Sequence, residues 1–168
     1  MNNICIIWDD KEQKLSEFRL ACIKRIKEVY PKVNLSCITK NKNLLTSIID
    51  THVDWGEIEN EVWKKWYVKS IHPDLLSDYF RYLYLSKNPY TLYIDTDIYI
   101  HEPIQENDYL AKWKGDYCAL WNGNETRFFE YIVNLRNGNG GLSNIAKHYP
   151  FDCGDLSRWM SHKTKTKD

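Results

Sequence analysis

The sequence predicts an α/β fold with a central, mostly parallel sheet flanked by helices. Three observations predict it. The chain opens strand, helix, strand: the apolar run Ile4-Cys5-Ile6-Ile7-Trp8, a helical stripe, then Val33 to Thr39. That order is the unit of a parallel sheet. Farther on, Thr91-Leu92-Tyr93-Ile94 is a second short apolar run, of the kind found in strands buried on both faces. Two carboxylates, Asp95 and Asp97, follow it at once. A strand that ends in acids aims them at the carboxyl edge of its sheet, where open α/β sheets bind ligands.

The chain has 168 residues, 43% of them hydrophobic, enough for one domain with its own core. We expect that domain over residues 1–160 and a polar tail over 161–168, SHKTKTKD. Lysine and arginine number 23 and aspartate and glutamate 23, so there is no basic excess to bind nucleic acid. The 7 Trp and 12 Tyr serve mostly as core, but they are also platforms for sugar rings and bases. Five cysteines, Cys5, Cys22, Cys37, Cys118 and Cys153, contain no C-x-x-C pair. Cys5 and Cys37 fall in predicted strands and Cys22 on a predicted helix, as small buried hydrophobes do. Such usage suits a reducing compartment, and with no signal peptide or transmembrane run in view the expected location is cytoplasmic.

The first strand ends at Asp9 and Asp10. Leu15, Phe18, Arg19, Cys22, Ile26, Val29 and Tyr30 then recur at helical spacing, and Pro31 stops the helix. Neither G-x-G-x-x-G nor G-x-x-x-x-G-K-[ST] occurs, so phosphate must be held in another way, such as through a metal. Leu44 to Asp50 suggests a short helix. Residues 51–70, with Trp55, Trp63, Trp66 and Tyr67 among charges, read as a loop and a short helix. Asp74 is a plausible N-cap for a helix whose apolar face is Leu75, Leu76, Tyr79, Phe80 and Leu83. Asp74, Ser77, Asp78 and Arg81 share the opposite stripe. That stripe is either a solvated face with an Asp78–Arg81 pair or the border of a ligand site. Ile98-Tyr99-Ile100 resumes an apolar path that Pro103 closes, and Asp116 to Trp121 reads as a strand. Phe128 to Leu135 suits strand or helix, Asn137 to Gly141 is a flexible turn, and Leu142 to Tyr149 is a helix.

Asp95 and Asp97 repel each other unless something positive sits between them. A hard divalent cation, Mg²⁺ or Mn²⁺, suits their oxygens. The alternative is a turn whose acids cap the next segment or face water.

The order of parts is more specific than any one of them. It runs Ser77-Asp78, two residues, Arg81-Tyr82, an apolar stretch, Tyr93-Ile94-Asp95-Thr96-Asp97-Ile98, then Pro103. Over about residues 71–104 this resembles the DXD-containing sugar-binding region of GT-A-fold glycosyltransferases. The likeness is to capsular-polysaccharide and mannosyl or galactosyl transferases, whose signature reads roughly S-D-x-x-R-Y…Y-x-D-x-D, and to glycogenin-like enzymes. The resemblance implies a single GT-A-like, Rossmann-like domain. It implies a hexosyltransferase of polysaccharide biosynthesis that moves a sugar from a UDP- or GDP-sugar to a saccharide acceptor, mostly with retention. Asp95 and Asp97 would be the catalytic pair that holds Mn²⁺ or Mg²⁺ against the diphosphate. Asp78 would bind sugar hydroxyls, and Arg81 would pair with phosphate or orient Asp78. Ser77 and Thr96 would also lie on the donor. Trp8 or Asp10 would meet the nucleoside, with a plain core role the alternative for Trp8.

The sequence departs from the pattern where Asn88-Pro89-Tyr90-Thr91 replaces a glycine pair. A third, histidine ligand would have to come from His148 or His162, each otherwise an ordinary surface histidine. Two further readings stand beside the transferase. One is a non-catalytic or truncated GT-A module that binds a nucleotide-sugar. The other is a DxD phosphotransferase, whose acids usually sit on the first strand.

Overall fold

The computed structural model describes residues 1–11, 14–67, 69, 73–103, 111–113 and 116–122. The expectations for Phe128 to Tyr149, for His148 and His162 and for the polar tail lie outside them. Strand β1 (Asn3–Ile7) leads to helix α1 (Glu17–Val29) and strand β2 (Asn34–Thr39). Strand β3 (Thr51–Asp54) runs directly into helix α2 (Trp55–Trp66). Helix α3 (Pro73–Lys87) precedes β4 (Thr91–Ile94), and β5 (Ala111–Trp113) and β6 (Asp116–Asn122) follow. The strands form one sheet in the order β3-β2-β1-β4-β6-β5. β3, β2, β1 and β4 are mutually parallel; β6 is antiparallel to β4, and β5 to β6. The predicted α/β class with a mostly parallel sheet and flanking helices is the one observed.

The central strands are mostly apolar because both faces are covered. Side chains alternate across a strand. Ile4, Ile6, Leu92 and Ile94 therefore pack with Ile23 and Ile26 of α1 on one face. Cys5, Ile7, Ile38 and Tyr93 pack with Trp55, Ile58 and Val62 of α2 and Leu76, Phe80 and Leu83 of α3 on the other. Phe80 meets Trp55 edge to face at 4.7 Å between centroids. Burying each such large side chain contributes about 1.5–3 kcal/mol. Cys5, Cys22 and Cys37 are buried free thiols, and burial raises all three above the ordinary thiol value.

Ser16 caps α1, its Oγ accepting from Arg19 N at 3.1 Å. Asp54, the last residue of β3, caps α2 by accepting from Gly56 N at 2.7 Å. One residue thus ends the strand and starts the helix.

The structure corrects several local expectations. Residues 44–50 form a turn and not a helix: Leu45 has φ 44°, a left-handed value that breaks the helical path. Residues 51–54 are a strand and not a loop. Among the described residues β3 lies at the sheet's edge and pairs only with β2, so it needs little apolar character and its sequence hides it. The helix that follows has 12 residues. α3 begins at Pro73, so Asp74 lies in its first turn and is not its cap. Phe18 is 58% exposed. The buried stripe of α1 centres on Cys22, Ile23 and Ile26, which leaves Phe18 at its border and Arg19 on its line.

Candidate active site

β1 leads on through α1 to β2 and β3 on one side, while β4 pairs on its other side. The strand order therefore reverses between β1 and β4. Open α/β sheets bind ligands at such a switch point, beyond the carboxyl ends of the strands. The register pairs Cys5 with Tyr93, so the chain just past β1 and just past β4 lies at one level. A cavity of about 490 Å³ opens there. Trp8 and Asp9 line it from β1, Asp95, Thr96 and Asp97 from β4, and Ser77, Asp78 and Arg81 from α3. Seven of the eight residues that the sequence assigns to the site are thus brought together. Asp10 is not among them: it turns left-handed (φ 52°), and its Oδ2 accepts from Asn41 Nδ2 at 2.8 Å.

Arg81 is the hub of the site. Its side chain is buried, and Nη2 lies 3.1 Å from Asp78 Oδ1. Its Nε donates to the Ser77 carbonyl at 3.2 Å, and its guanidinium lies 4.4 Å over the Tyr93 ring. Nη1 stands 3.7 Å from Asp95 Oδ1. Burial opposes the charge on Arg81, but Tyr93, Asp95 and Asp78 outweigh it and raise its pKa. The Ser77-to-Arg81 stripe is therefore not a solvated face.

The Asp95 carboxylate accepts from the Tyr93 hydroxyl at 2.5 Å. Burial raises the Asp95 carboxyl above the ordinary aspartate value, Arg81 and Tyr93 draw it down, and Asp97 adds to the rise. Burial likewise pushes the Tyr93 phenol well up, so it stays a neutral donor. Asp97 is half exposed, with Oδ2 3.7 Å from Arg19 Nη2. Arg19 Nη1 donates to Thr96 Oγ1 at 2.5 Å, and its guanidinium lies 5.0 Å over the Trp8 ring.

Asp95 and Asp97, two of the four aspartates that line the cavity, could hold a divalent ion. Among the described residues no three His, Cys, Asp or Glu side chains cluster as a metal cage. A pair of carboxylates nevertheless fits Mg²⁺-type binding, in which one or two carboxylates act together with substrate phosphates and water.

Asp9, Arg19, Trp55 and Tyr93 also line the cavity, and site reasoning from the sequence missed them. Arg19 carried a signal: it is a charged residue on the apolar stripe of α1. Asp9 carried one too, since it continues the Cys5, Ile7 face of β1. Trp55 lay in the stretch whose elements the sequence hid.

No family model matches the sequence, and no curated protein matches it. A solved structure named PaToxG glycosyltransferase has a similar fold, with a TM-score of 0.50 and 15% sequence identity. The alignment covers 84% of this chain and 63% of that one, so this chain spans less than two thirds of its neighbour. At that identity the likeness is one of fold alone: the fold of this chain is similar to that of a glycosyltransferase.

Proposed function

We propose that the protein is a metal-dependent glycosyltransferase that moves a hexosyl group from a nucleotide-sugar to a saccharide acceptor, with retention, in polysaccharide biosynthesis. One observation carries the reading: Asp78 and Arg81 converge with Asp95 and Asp97 in one cavity at the switch point of the sheet. The glycosyltransferase fold agrees with it.

In this reading Asp95 and Asp97 hold Mn²⁺ or Mg²⁺. The bound ion offsets the charge that develops on the leaving nucleoside diphosphate. Arg81 fixes the carboxylates of Asp78 and Asp95 from its buried position, and Asp78 accepts from hydroxyls of the donor sugar. Ser77 and Thr96 line the donor path. Trp8 meets the nucleoside. Asp10, held by Asn41, shapes the loop beyond β1.

The test is incubation with UDP- and GDP-sugars, Mn²⁺ and saccharide acceptors, with EDTA as control. The expected result is release of nucleoside diphosphate that EDTA stops. Turnover that EDTA leaves intact, or no nucleotide binding, would overturn the reading.

A further inference from the structure

We infer that the donor's base is guanine, read by Asp9, so that the cavity takes a GDP-sugar in preference to a UDP-sugar. The inference rests on the nucleotide-sugar reading above and narrows it.

Asp9 follows β1 and is 5% exposed, and among the described residues neither carboxylate oxygen has a hydrogen-bond partner. Lys40 Nζ stands 4.0 Å from Oδ2, too far for a hydrogen bond. A buried carboxylate without donors is costly, by several kcal/mol on general grounds. Asp9 lines the cavity with both oxygens closed off from solvent, so a turn of its side chain lets a ligand there bring the donors. Trp8 and Trp55 line the same cavity, and the Nε1 atom of each is also buried with no partner among the described residues. The Trp8 ring, half-buried, is flat apolar surface of the kind on which bases stack, while Trp55 packs against Phe80 in the core.

Two acceptors side by side call for two donors side by side. Guanine offers them as N1–H and the 2-amino group. Uracil has one N–H between two carbonyls, so the second Asp9 oxygen would face another acceptor. Adenine and cytosine set a ring-nitrogen acceptor beside their amino group. Lys40, next to the carboxylate, would supply a donor where guanine presents O6. A vicinal diol also offers two donors, but every donor nucleotide carries one, so comparing bases separates the two cases.

The experiment is calorimetric titration of the full chain, with Mn²⁺, by GDP, IDP and UDP. IDP differs from GDP only in lacking the 2-amino group. A hydrogen bond to a charged partner makes a difference of about tenfold or more. GDP should therefore bind about tenfold or more tightly than either IDP or UDP. In Asp9→Asn the GDP-over-IDP preference should vanish. UDP binding as tightly as GDP, or IDP matching GDP on the wild-type chain, overturns the inference and leaves the nucleotide-sugar reading standing. No binding by any of the three overturns both. The three-nucleotide comparison uses the wild-type chain, so it decides the matter even should Asp9→Asn fail to fold.

Discussion

The Arg81 guanidinium stands 3.7 Å from Asp95 Oδ1, so α3 and the end of β4 meet through a charge pair whose cation is buried. Asp78 shares the same guanidinium at 3.1 Å, and Tyr93 underlies it. Two acids around one buried cation form an arrangement that loses more when broken than any member adds. Arg81→Met should cost about 3–5 kcal/mol of stability, because it strands carboxylates that burial already penalises. Urea unfolding measures this. A loss below about 1 kcal/mol would mean that water reaches the pair freely.

The two acids after β4 should separate fold from binding. Asp97 is half exposed and its nearest cation lies at 3.7 Å, so Asp97→Ala should change stability by no more than about 0.5 kcal/mol. It should abolish Mn²⁺-supported binding of GDP or UDP. Asp95→Ala should lose that binding and also about 1–3 kcal/mol, since the buried Tyr93 hydroxyl loses its acceptor. Melting curves and nucleotide titrations on the two variants read both effects. Equal stability losses would show that Asp95 is as solvated as Asp97.

The parallel core was legible because physics writes it twice, in continuous apolar runs and in the helix between them. Ile4 to Ile7 and Thr91 to Ile94 could hardly be anything else. Edge strand β3 was not legible, since Thr51-His52-Val53-Asp54 needs burial on few atoms and, among the described residues, pairs on one side only. The site was legible where residues sit close in sequence, as Ser77, Asp78 and Arg81 do along one helix face. Arg19 and Asp9 reach the cavity through tertiary register, from α1 and β1. Their roles follow from which strands are neighbours, and local spacing does not encode that.

Arg19 faces Asp97 at 3.7 Å and donates to Thr96. An ion held by Asp97 would compete with that guanidinium, and an incoming diphosphate would attract it. Arg19→Ala should therefore bind Mn²⁺ at least as tightly as the wild type without nucleotide, and nucleoside diphosphate about tenfold less tightly with it. Titration of Mn²⁺ alone and then of nucleotide separates the two steps. If both affinities fall together, Arg19 acts by holding the loop through Thr96.

Far from the cavity, Asp50 ties the turn before β3 to the rest of the sheet. Its Oδ2 accepts from Leu35 N at 2.8 Å and from Lys27 Nζ at 2.7 Å. The Lys27 hydrogen bond, then the Leu35 N–H, hold its carboxyl below the ordinary aspartate value. A group whose pKa is lower folded than unfolded stabilises the fold when ionised. That contribution is complete above the unfolded value, about 4, and is lost as pH falls through the lower folded one. Asp50→Asn should therefore cost about 0.5–1 kcal/mol near neutrality, no more, because the side chain is 42% exposed and solvent screens it. The gap between wild type and variant should close as the solution is acidified below the wild-type carboxyl's pKa, and it should narrow in about 1 M salt. Urea unfolding across pH measures it. A gap that stays constant into acid would assign the effect to the shape of the side chain and not to its charge.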